Sequence, residues 1–327
     1  MTPIVGCQGF DAKPLGTDIR FNYDWPMTSN QFFRIVEMRT KIISMGTFFM
    51  ASVYGYYTTK TIDWPIFTIM LLATLAVDMG TTGFNTYFDF RRGTDNREYT
   101  KESGKVLVHE GVSPHAALIV STILFLIAGV LGLYLAYITS WYLLIIGGVC
   151  MLVGLVYTAG PFPISRTPFG ELFAGGFLGT VLFLIVLFVQ GNELTMNDFV
   201  VTIPLWIHIA MILSVNNTCD LVGDRANGRK TLSILLGPER APNLILGEGV
   251  LVYATIALLT VLGIYPLGGG VINLLAIFVW ITSFKAMKKA GFHAGTKEVH
   301  MGLISKAHLA LVFTFILGFL LSSLLAW

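Results

Sequence analysis

Charged residues are scarce in this sequence of 327 residues. Only 12% are Asp, Glu, Lys or Arg, whereas 54% are hydrophobic and the mean hydropathy is +0.72. This composition excludes an ordinary soluble domain and indicates a polytopic helical membrane protein. The net charge of +2 says little by itself, and we expect no nucleic acid among the partners.

Cysteine is almost absent. The spacing of Cys7, Cys150 and Cys219 gives neither a disulfide framework nor a metal-binding cluster. Because Cys150 and Cys219 lie in or beside apolar runs, we interpret them as small packing residues. A basic region followed by an apolar segment is also missing from residues 1–30, so we expect no cleavable signal peptide.

Long hydrophobic runs make up most of the remaining sequence. Runs of about 18–24 residues match a hydrocarbon layer of ~30 Å, so each predicts a membrane-spanning helix. Nine such runs occupy residues 41–59, 64–88, 115–137, 141–158, 169–190, 199–219, 243–264, 267–284 and 306–326. The predicted fold class is therefore an all-α, polytopic membrane protein with nine transmembrane helices.

A short segment with mixed apolar and charged residues precedes the first run. Residues 28–30, Thr-Ser-Asn, favour the start of a helix. Over residues 31–39, apolar side chains such as Phe32, Phe33 and Ile35 alternate with charges. This pattern predicts a short helix at the membrane interface.

Basic residues mark one side of the predicted membrane. Of the 21 Lys and Arg residues, 20 lie before the first run or after even-numbered runs, and Lys60 alone lies on the other side. The positive-inside rule then places the N-terminus in the cytoplasm and Trp327 outside. We expect a plasma-membrane protein with a cytoplasmic segment, residues 1–30, and one transmembrane domain, residues 31–327.

Two polar clusters of similar spacing end the second and sixth runs. Asn85 and Asp89 close the second run, and Asn216 and Asp220 close the sixth. The offset of four runs predicts two related four-helix halves followed by a ninth helix. On the predicted topology, both clusters face the cytoplasm.

The clusters combine oxygen ligands with basic residues. On a helix, Asn85 stacks on Asp89, and Asn216, Asp220 and Asp224 form a second row. Such hard oxygen ligands suit Mg2+, which usually bridges carboxylates to substrate phosphates. The basic residues that could contact those phosphates are Arg91, Arg92, Lys101, Lys105, Arg225, Arg229 and Lys230. The sequence therefore predicts a site for a metal bound to an anionic group.

Other interpretations remain open at this point. An isolated Asp at a membrane boundary is usually a solvated helix end, although two matched clusters favour function. We interpret Asp78 as a structural hydrogen-bonding group and His208 as a satisfied buried histidine. A secondary transporter also carries repeated halves and intramembrane acids, but usually near the midplane at broken helices. A purely structural membrane protein is the third alternative.

The motifs resemble those of the UbiA superfamily of intramembrane aromatic prenyltransferases, from about Asn30 onward. Within it, they most resemble the branch that prenylates 1,4-dihydroxy-2-naphthoate in menaquinone synthesis. The resemblance is carried by Asn85-x-Tyr87-x-Asp89-x3-Gly93-x-Asp95, Lys105-Val106-Leu107-Val108, Tyr157-Thr158-Ala159-Gly160-Pro161-x-Pro163, Gly170-Glu171, and Asn216-Asn217-x2-Asp220-x3-Asp224-x3-Gly228-x2-Thr231-Leu232.

Three positions depart from the common pattern. Many superfamily members carry acids where this chain has Thr86 and Gly93, whereas the naphthoate branch tolerates both residues and places its acid at Asp95. Cys219 stands where that branch often has Arg. Other aromatic acceptors, such as 4-hydroxybenzoate or homogentisate, therefore remain alternatives.

The resemblance implies a helix bundle around a central cavity in the lipid bilayer, with the tail of an isoprenyl diphosphate among the helices. It implies Mg2+ held through Asn85, Asp89, Asn216, Asp220 and Asp224, with Asn85, Asp89, Asp220 and Asp224 as catalytic residues. The expected substrate-binding residues are Arg91, Arg92, Asp95, Lys101, Lys105, Tyr87, Tyr157, Arg166, Asn216, Asn217, Arg225 and Lys230. The implied reaction prenylates dihydroxynaphthoate and releases the ring carboxylate as CO2, giving demethylmenaquinol.

Overall fold

A computed structural model describes residues 27–325. Within that range the chain forms α-helices, two short 3-10 segments and one π-helical turn, and no strand. Cys7, most of the predicted segment 1–30, the expected absence of a signal peptide and Trp327 lie outside the described residues. The predicted all-α class is confirmed.

The helices are numbered here in chain order. They are α1 (Ser29–Ile35), α2 (Ile42–Thr59), α3 (Trp64–Arg91), α4 (Val106–His109), α5 (Pro114–Ile138), α6 (Tyr142–Thr158), α7 (Gly170–Val189), α8 (Met196–Cys219), α9 (Leu221–Ala226), α10 (Leu232–Leu236), α11 (Ala241–Val261), α12 (Leu267–Ala290) and α13 (Lys297–Leu325). All nine predicted runs fall on helices of this set.

Seven of these helices are long and apolar enough to cross a membrane: α3, α5, α7, α8, α11, α12 and α13. Helix α6 is also apolar but is shorter than these seven helices, with 17 residues. Helix α2 has 18 residues, and its Ser, Thr and Tyr side chains lower its mean hydropathy. The multi-pass prediction is confirmed, whereas the count of nine membrane spans stays a prediction.

The predicted helix start at residues 28–30 is confirmed. Thr28 Oγ1 accepts a hydrogen bond from the Gln31 amide at 3.2 Å, and Gln31 Oε1 accepts one from the Thr28 amide at 3.0 Å. This reciprocal pair satisfies two free N–H groups at the helix start. Helix α1 ends at Ile35, earlier than predicted, because Glu37 has a left-handed backbone conformation with φ of 46°, through which a right-handed helix cannot continue.

Close helix packing repeats along the bundle. Helix α3 packs most extensively against α5, and α8 packs extensively against α11. These pairs hold corresponding places in the two predicted four-helix halves, although the repeat itself stays a prediction. Gly83 of α3 permits the first approach, since a Cβ there would lie 2.3 Å from Ser121 Oγ of α5.

A cavity of about 610 Å³ lies inside the bundle, lined mainly by α2, α3, α5, α6, α7 and α8, with the start of α13. Its deep part is apolar, with side chains such as Met70, Leu135 and Leu143. Its polar part lies where α3 and α8 end. The cavity therefore joins an apolar chamber to a charged mouth.

A π-helical turn in α7, Gly176–Val181, shapes one wall of this cavity. Gly175 lies against the backbone of α8, where a Cβ would stand 2.4 Å from Trp206 O. Phe173 and Phe177 of this wall line the cavity, with parallel rings whose centroids are 6.0 Å apart. Such π turns are frequent at functional sites.

Asp78 and His208 are polar residues within the predicted membrane spans, and they differ in their hydrogen bonding. The structural interpretation of Asp78 is confirmed, because Lys41 Nζ donates to its Oδ1 at 2.6 Å. His208 is buried, as predicted. Its ring stacks on His308 with centroids 5.3 Å apart, and no described residue bonds its nitrogens. It does not line the cavity.

Candidate functional site

The two polar clusters meet at the mouth of the cavity. The last two turns of α3 carry Asn85 and Asp89, and the last turn of α8 carries Asn216 and Asn217. Asp220 follows α8 directly and precedes the short helix α9. Because both long helices end at the same side of the bundle, their polar termini converge.

Arg229 joins the two clusters. Its Nη1 lies 2.9 Å from Asp224 Oδ1, and its Nη2 lies 3.8 Å from Asp89 Oδ1. The Arg229 and Asp224 side chains are only 10% and 4% exposed. One guanidinium therefore compensates a carboxylate from each half of the chain.

Lys297, the first residue of α13, makes a second bridge. Its Nζ lies 2.6 Å from Asp220 Oδ2 and 3.0 Å from Glu102 Oε1. Glu102 belongs to the loop that follows α3, whereas Asp220 belongs to the second cluster. This lysine therefore connects α13 to the loop after α3 and to the second cluster.

Lys105 makes the third bridge, 3.1 Å from Asp95 Oδ2 and 2.9 Å from Glu37 Oε1. Burial would lower its pKa, but Asp95, Glu37 and Glu102 together hold that pKa well above its ordinary value. Lys105 therefore stays charged. Burial would likewise raise the pKa of Glu37, yet the ammonium of Lys105 holds that pKa below its ordinary value.

The bridges follow one scheme, in which each cation contacts two carboxylates. Three cations and six carboxylates give a formal charge of −3 at the mouth when every group is ionised. Burial raises the pKa of Asp224, and Arg229 offsets this effect only in part. The mouth therefore favours additional positive charge.

The asparagines are oriented by neighbouring side chains. Asn85 Oδ1 accepts a hydrogen bond from Thr158 Oγ1 at 2.7 Å. Asn217 Nδ2 donates to Glu171 Oε1 at 2.8 Å, deep inside the bundle. These bonds connect the Tyr157 and Gly170 motifs to the two clusters. The separate motifs of the sequence are thus parts of one hydrogen-bonded site.

The predicted site residues divide into three groups. Eight line the cavity: Asn85, Asp89, Asp95, Lys105, Tyr157, Asn216, Asn217 and Asp220. Asp224 lies outside the lining, buried against Arg229. The others do not line it: Arg91, Arg92, Lys101, Tyr87, Arg166, Arg225 and Lys230.

Several residues of the last group hold the surrounding loops. Arg92 donates to the carbonyl groups of Thr158 and Gly160, and Arg166 donates to the carbonyl of Asn227. Burial, together with neighbouring Arg229 and Arg92, lowers the pKa of Arg166.

The remaining members have surface or packing positions. Tyr87 packs in the apolar cluster around Ile35, with Phe88 edge-on at 5.0 Å. Four basic residues are exposed: Arg91, Lys101, Arg225 and Lys230.

Sequence reasoning missed several residues of the mouth. Glu37, Glu102 and Lys297 line the cavity, and none carries a recognisable motif. For Lys297 a signal exists, because buried residues at helical spacing continue from His300 through Ile304 and predict an earlier helix start than residue 306. The cavity-lining Phe173 and Phe177 lacked any signal among 24 phenylalanines.

The donor set fits a hard divalent cation. It consists of carboxylate and amide oxygens, and the buried Asp224 Oδ2 has no hydrogen-bond partner among the described residues. Over residues 27–325, no three His, Cys, Asp or Glu side chains converge into a protein-only metal centre. This arrangement suits Mg2+ shared between the protein and an anionic ligand.

The fold and the site define a class, namely multi-pass membrane proteins with a charged mouth above an apolar chamber. The sequence profile of the UbiA prenyltransferase family matches residues 44–292. The chain therefore belongs to the UbiA prenyltransferase family, and the predicted resemblance and enzyme class are confirmed.

Individual relatives agree with this assignment. The 1,4-dihydroxy-2-naphthoate octaprenyltransferase of Bacillus subtilis (strain 168) is 34% identical over 231 residues, 71% of this chain and 74% of that protein. The apo structure of a UbiA homolog from Aeropyrum pernix K1 has a TM-score of 0.66 at 17% identity, covering 85% of this chain and 98% of that one. A UbiA homolog from Archaeoglobus fulgidus bound to GPP and Mg2+ has a TM-score of 0.60 at 16% identity, covering 88% and 99%.

Proposed function

We propose that the protein transfers a polyprenyl group from an isoprenyl diphosphate to an aromatic acceptor in a Mg2+-dependent reaction. The observation that carries this proposal is the meeting of Asp89 and Asp224 at Arg229, beside an apolar cavity. The homolog bound to GPP and Mg2+ supports the same pairing of ligands. A diphosphate head at the mouth leaves its prenyl tail in the apolar chamber.

The position of the acids favours an enzyme over a transporter. Asp89 lies two residues before the end of α3, and Asp220 directly follows α8. Transporter sites usually lie near the bilayer midplane at broken helices. The deeper Asp78 is already compensated by Lys41, so it offers no free carboxylate for a transported ion.

The residues proposed to hold Mg2+ are Asn85, Asp89, Asn216, Asp220 and Asp224. When bound, Mg2+ neutralises the charge that develops on a leaving diphosphate, which lowers the barrier to allylic C–O cleavage. Asp89 and Asp220 line the cavity and would supply the carboxylates nearest to the ion, beside the amides of Asn85 and Asn216. Arg229 contacts both Asp89 and Asp224 and so holds the two carboxyl groups close together.

The chamber supplies the environment for the prenyl group. Its apolar walls exclude water, which would otherwise quench an allylic cation. The rings of Tyr157, Phe173 and Phe177 line the cavity, and ring faces attract cations. The ring carbon of the acceptor forms the new C–C bond as the diphosphate departs with the electrons of the C–O bond.

The proposed acceptor is 1,4-dihydroxy-2-naphthoate, whose carboxylate leaves as CO2 and returns its electron pair to the ring. The Bacillus subtilis relative supports this choice. Cys219, where the sequence departs from that branch, is buried with its Sγ 3.3 Å from His300 Nδ1. Cys219 does not line the cavity.

A competition assay tests the acceptor. Membranes containing the protein receive Mg2+, geranyl diphosphate and equal amounts of dihydroxynaphthoate, 4-hydroxybenzoate and homogentisate, and mass spectrometry identifies the products. We expect a prenylated naphthoquinol and CO2 release. If only 4-hydroxybenzoate or homogentisate were prenylated, the proposed acceptor would be refuted. If none of the three compounds were prenylated, the proposed prenyl transfer itself would be refuted.

We also propose a plasma-membrane location with a cytoplasmic site, a cytoplasmic segment 1–30 and one catalytic domain, residues 31–327. The support is the distribution of Lys and Arg, together with the convergence of both clusters at one end of the bundle. Reporter fusions at the C-terminus test the orientation, since periplasmic or external activity is expected. Cytoplasmic activity would contradict this topology.

A further inference from the structure

Lys297 stands out because no motif assigns it a role, yet it contacts a proposed metal ligand. Its ammonium group is 2.6 Å from Asp220 Oδ2, and its side chain is 9% exposed. It also lines the cavity. A lysine ammonium has three donors and no acceptor, so it can bind an anion but cannot ligate a metal.

The contacts leave part of Asp220 free for another partner. Lys297 and Asn216 both donate to Oδ2, the latter at 3.5 Å. No described residue donates to Oδ1 of Asp220. Asp220 can therefore gain a cation through Oδ1, but Lys297 and that cation would then repel each other at close range.

An anion between the two cations removes this repulsion. We propose that Lys297 is a diphosphate-binding residue, which balances Asp220 in the empty site and moves onto a phosphate oxygen when substrate arrives. The inference rests on the proposed isoprenyl diphosphate substrate. Glu102, 3.0 Å from the same ammonium, keeps Lys297 at the mouth during this exchange.

A flexible side chain suits this exchange better than a guanidinium would. Lysine carries a compact charge on a four-carbon stem with rotatable donors, whereas arginine is a rigid fork. Arg229 is fixed by Asp224 and Asp89. Lys105 is fixed by Asp95 and Glu37.

The proposal predicts opposite effects on metal and diphosphate. Without Lys297, the formal charge at the mouth becomes −4 instead of −3, so a divalent cation alone should bind equally well or more tightly. A diphosphate loses one charge-assisted contact. Its affinity should fall about 10- to 100-fold, as expected for one hydrogen bond between charged groups.

The experiment measures both ligands on purified, full-length protein in detergent. Mn2+ binding is followed by electron paramagnetic resonance, and geranyl diphosphate binding with Mg2+ by calorimetry. The variants are Lys297→Met and Lys297→Arg, with Lys306→Met as the matched control. Lys306 is an exposed lysine on the same helix. Melting temperatures establish that each variant is folded.

We expect Lys297→Met to lose diphosphate affinity while keeping Mn2+ affinity, Lys297→Arg to recover part of the loss, and Lys306→Met to match the wild type. Unchanged diphosphate binding in Lys297→Met would overturn the proposal. So would a parallel loss of Mn2+ and diphosphate binding, which marks a structural role. Failure of the wild type to bind geranyl diphosphate would instead overturn the proposed function.

Discussion

The bridge made by Arg229 gives the most direct test of how the two clusters are held together. Its guanidinium compensates Asp224 at 2.9 Å, and both side chains are almost fully buried. Replacing Arg229 with Gln leaves a buried carboxylate without its partner. Breaking a buried pair in this way costs about 3–5 kcal/mol of the free energy of unfolding.

The double variant separates the ion pair from other effects of the substitution. In Arg229→Gln/Asp224→Asn, both charges are gone, so no uncompensated charge of this pair remains. Groups in one ion-pair network show coupling of about 0.5–3 kcal/mol. We expect about 2 kcal/mol here, because burial strengthens the attraction. The double variant should therefore lose less free energy of unfolding than the two single variants lose when their losses are added together.

Unfolding in detergent, followed by circular dichroism against denaturant, measures these free energies. Arg225→Gln is the matched control, since Arg225 is exposed and its Nη2 donates one hydrogen bond, to the Ile234 carbonyl at 3.3 Å. Its free energy of unfolding should change by no more than about 0.5 kcal/mol. A coupling free energy near zero in the Arg229–Asp224 cycle would refute the bridge.

Three further predictions concern catalysis, packing and pH. Asp89→Asn and Asp220→Asn should fold normally but lose turnover by about 100-fold or more in the prenyl-transfer assay, and near-wild-type rates in both would defeat the metal-ligand assignment. In α11, Gly249→Ala should lower the free energy of unfolding by about 1–3 kcal/mol, because the new Cβ would lie 2.0 Å from the indole ring of Trp280 in α12. Gly247→Ala on the same helix has open space around its Cβ and should gain about 0.5–1 kcal/mol of helix stability. Equal melting temperatures of the two variants would contradict this packing. Burial raises the pKa of Asp224 above its ordinary value of 3.8, so its contribution to stability should be present at low pH and decline as the pH rises from 3.8 through the folded-state pKa. Asp224→Asn should flatten that decline in pH-dependent melting curves.

The long helices could be predicted from the sequence because the composition of each apolar run is enough to indicate that it lies in the membrane. A continuous apolar segment has a low free energy only in hydrocarbon, where its backbone must bond internally as a helix. Within residues 27–325, every predicted run coincides with a helix over most of its length. The predicted start of α13 is nine residues too late, because Lys297 and Glu298 interrupt the apolar pattern of a helix whose first turns face a charged mouth.

The candidate site could be predicted where its residues form motifs. Asn85, Asp89, Asn216 and Asp220 all line the cavity, as their spacing on helix ends indicated. Tyr87 belongs to the same motif but packs against the cluster around Ile35, because it lies on another face of α3. Periodicity relates residues on one helix and carries no information about which neighbour each face meets.

The sequence by itself determined the all-helical membrane class, the two polar clusters and the family, since these depend on local composition and spacing. Only the tertiary structure decided how the clusters are compensated. Arg229 joins Asp89 to Asp224, and Lys297 joins Asp220 to Glu102. These pairs connect residues far apart in the chain, and a charge selects its partner by distance in the folded bundle, where the low dielectric makes an unpaired group costly.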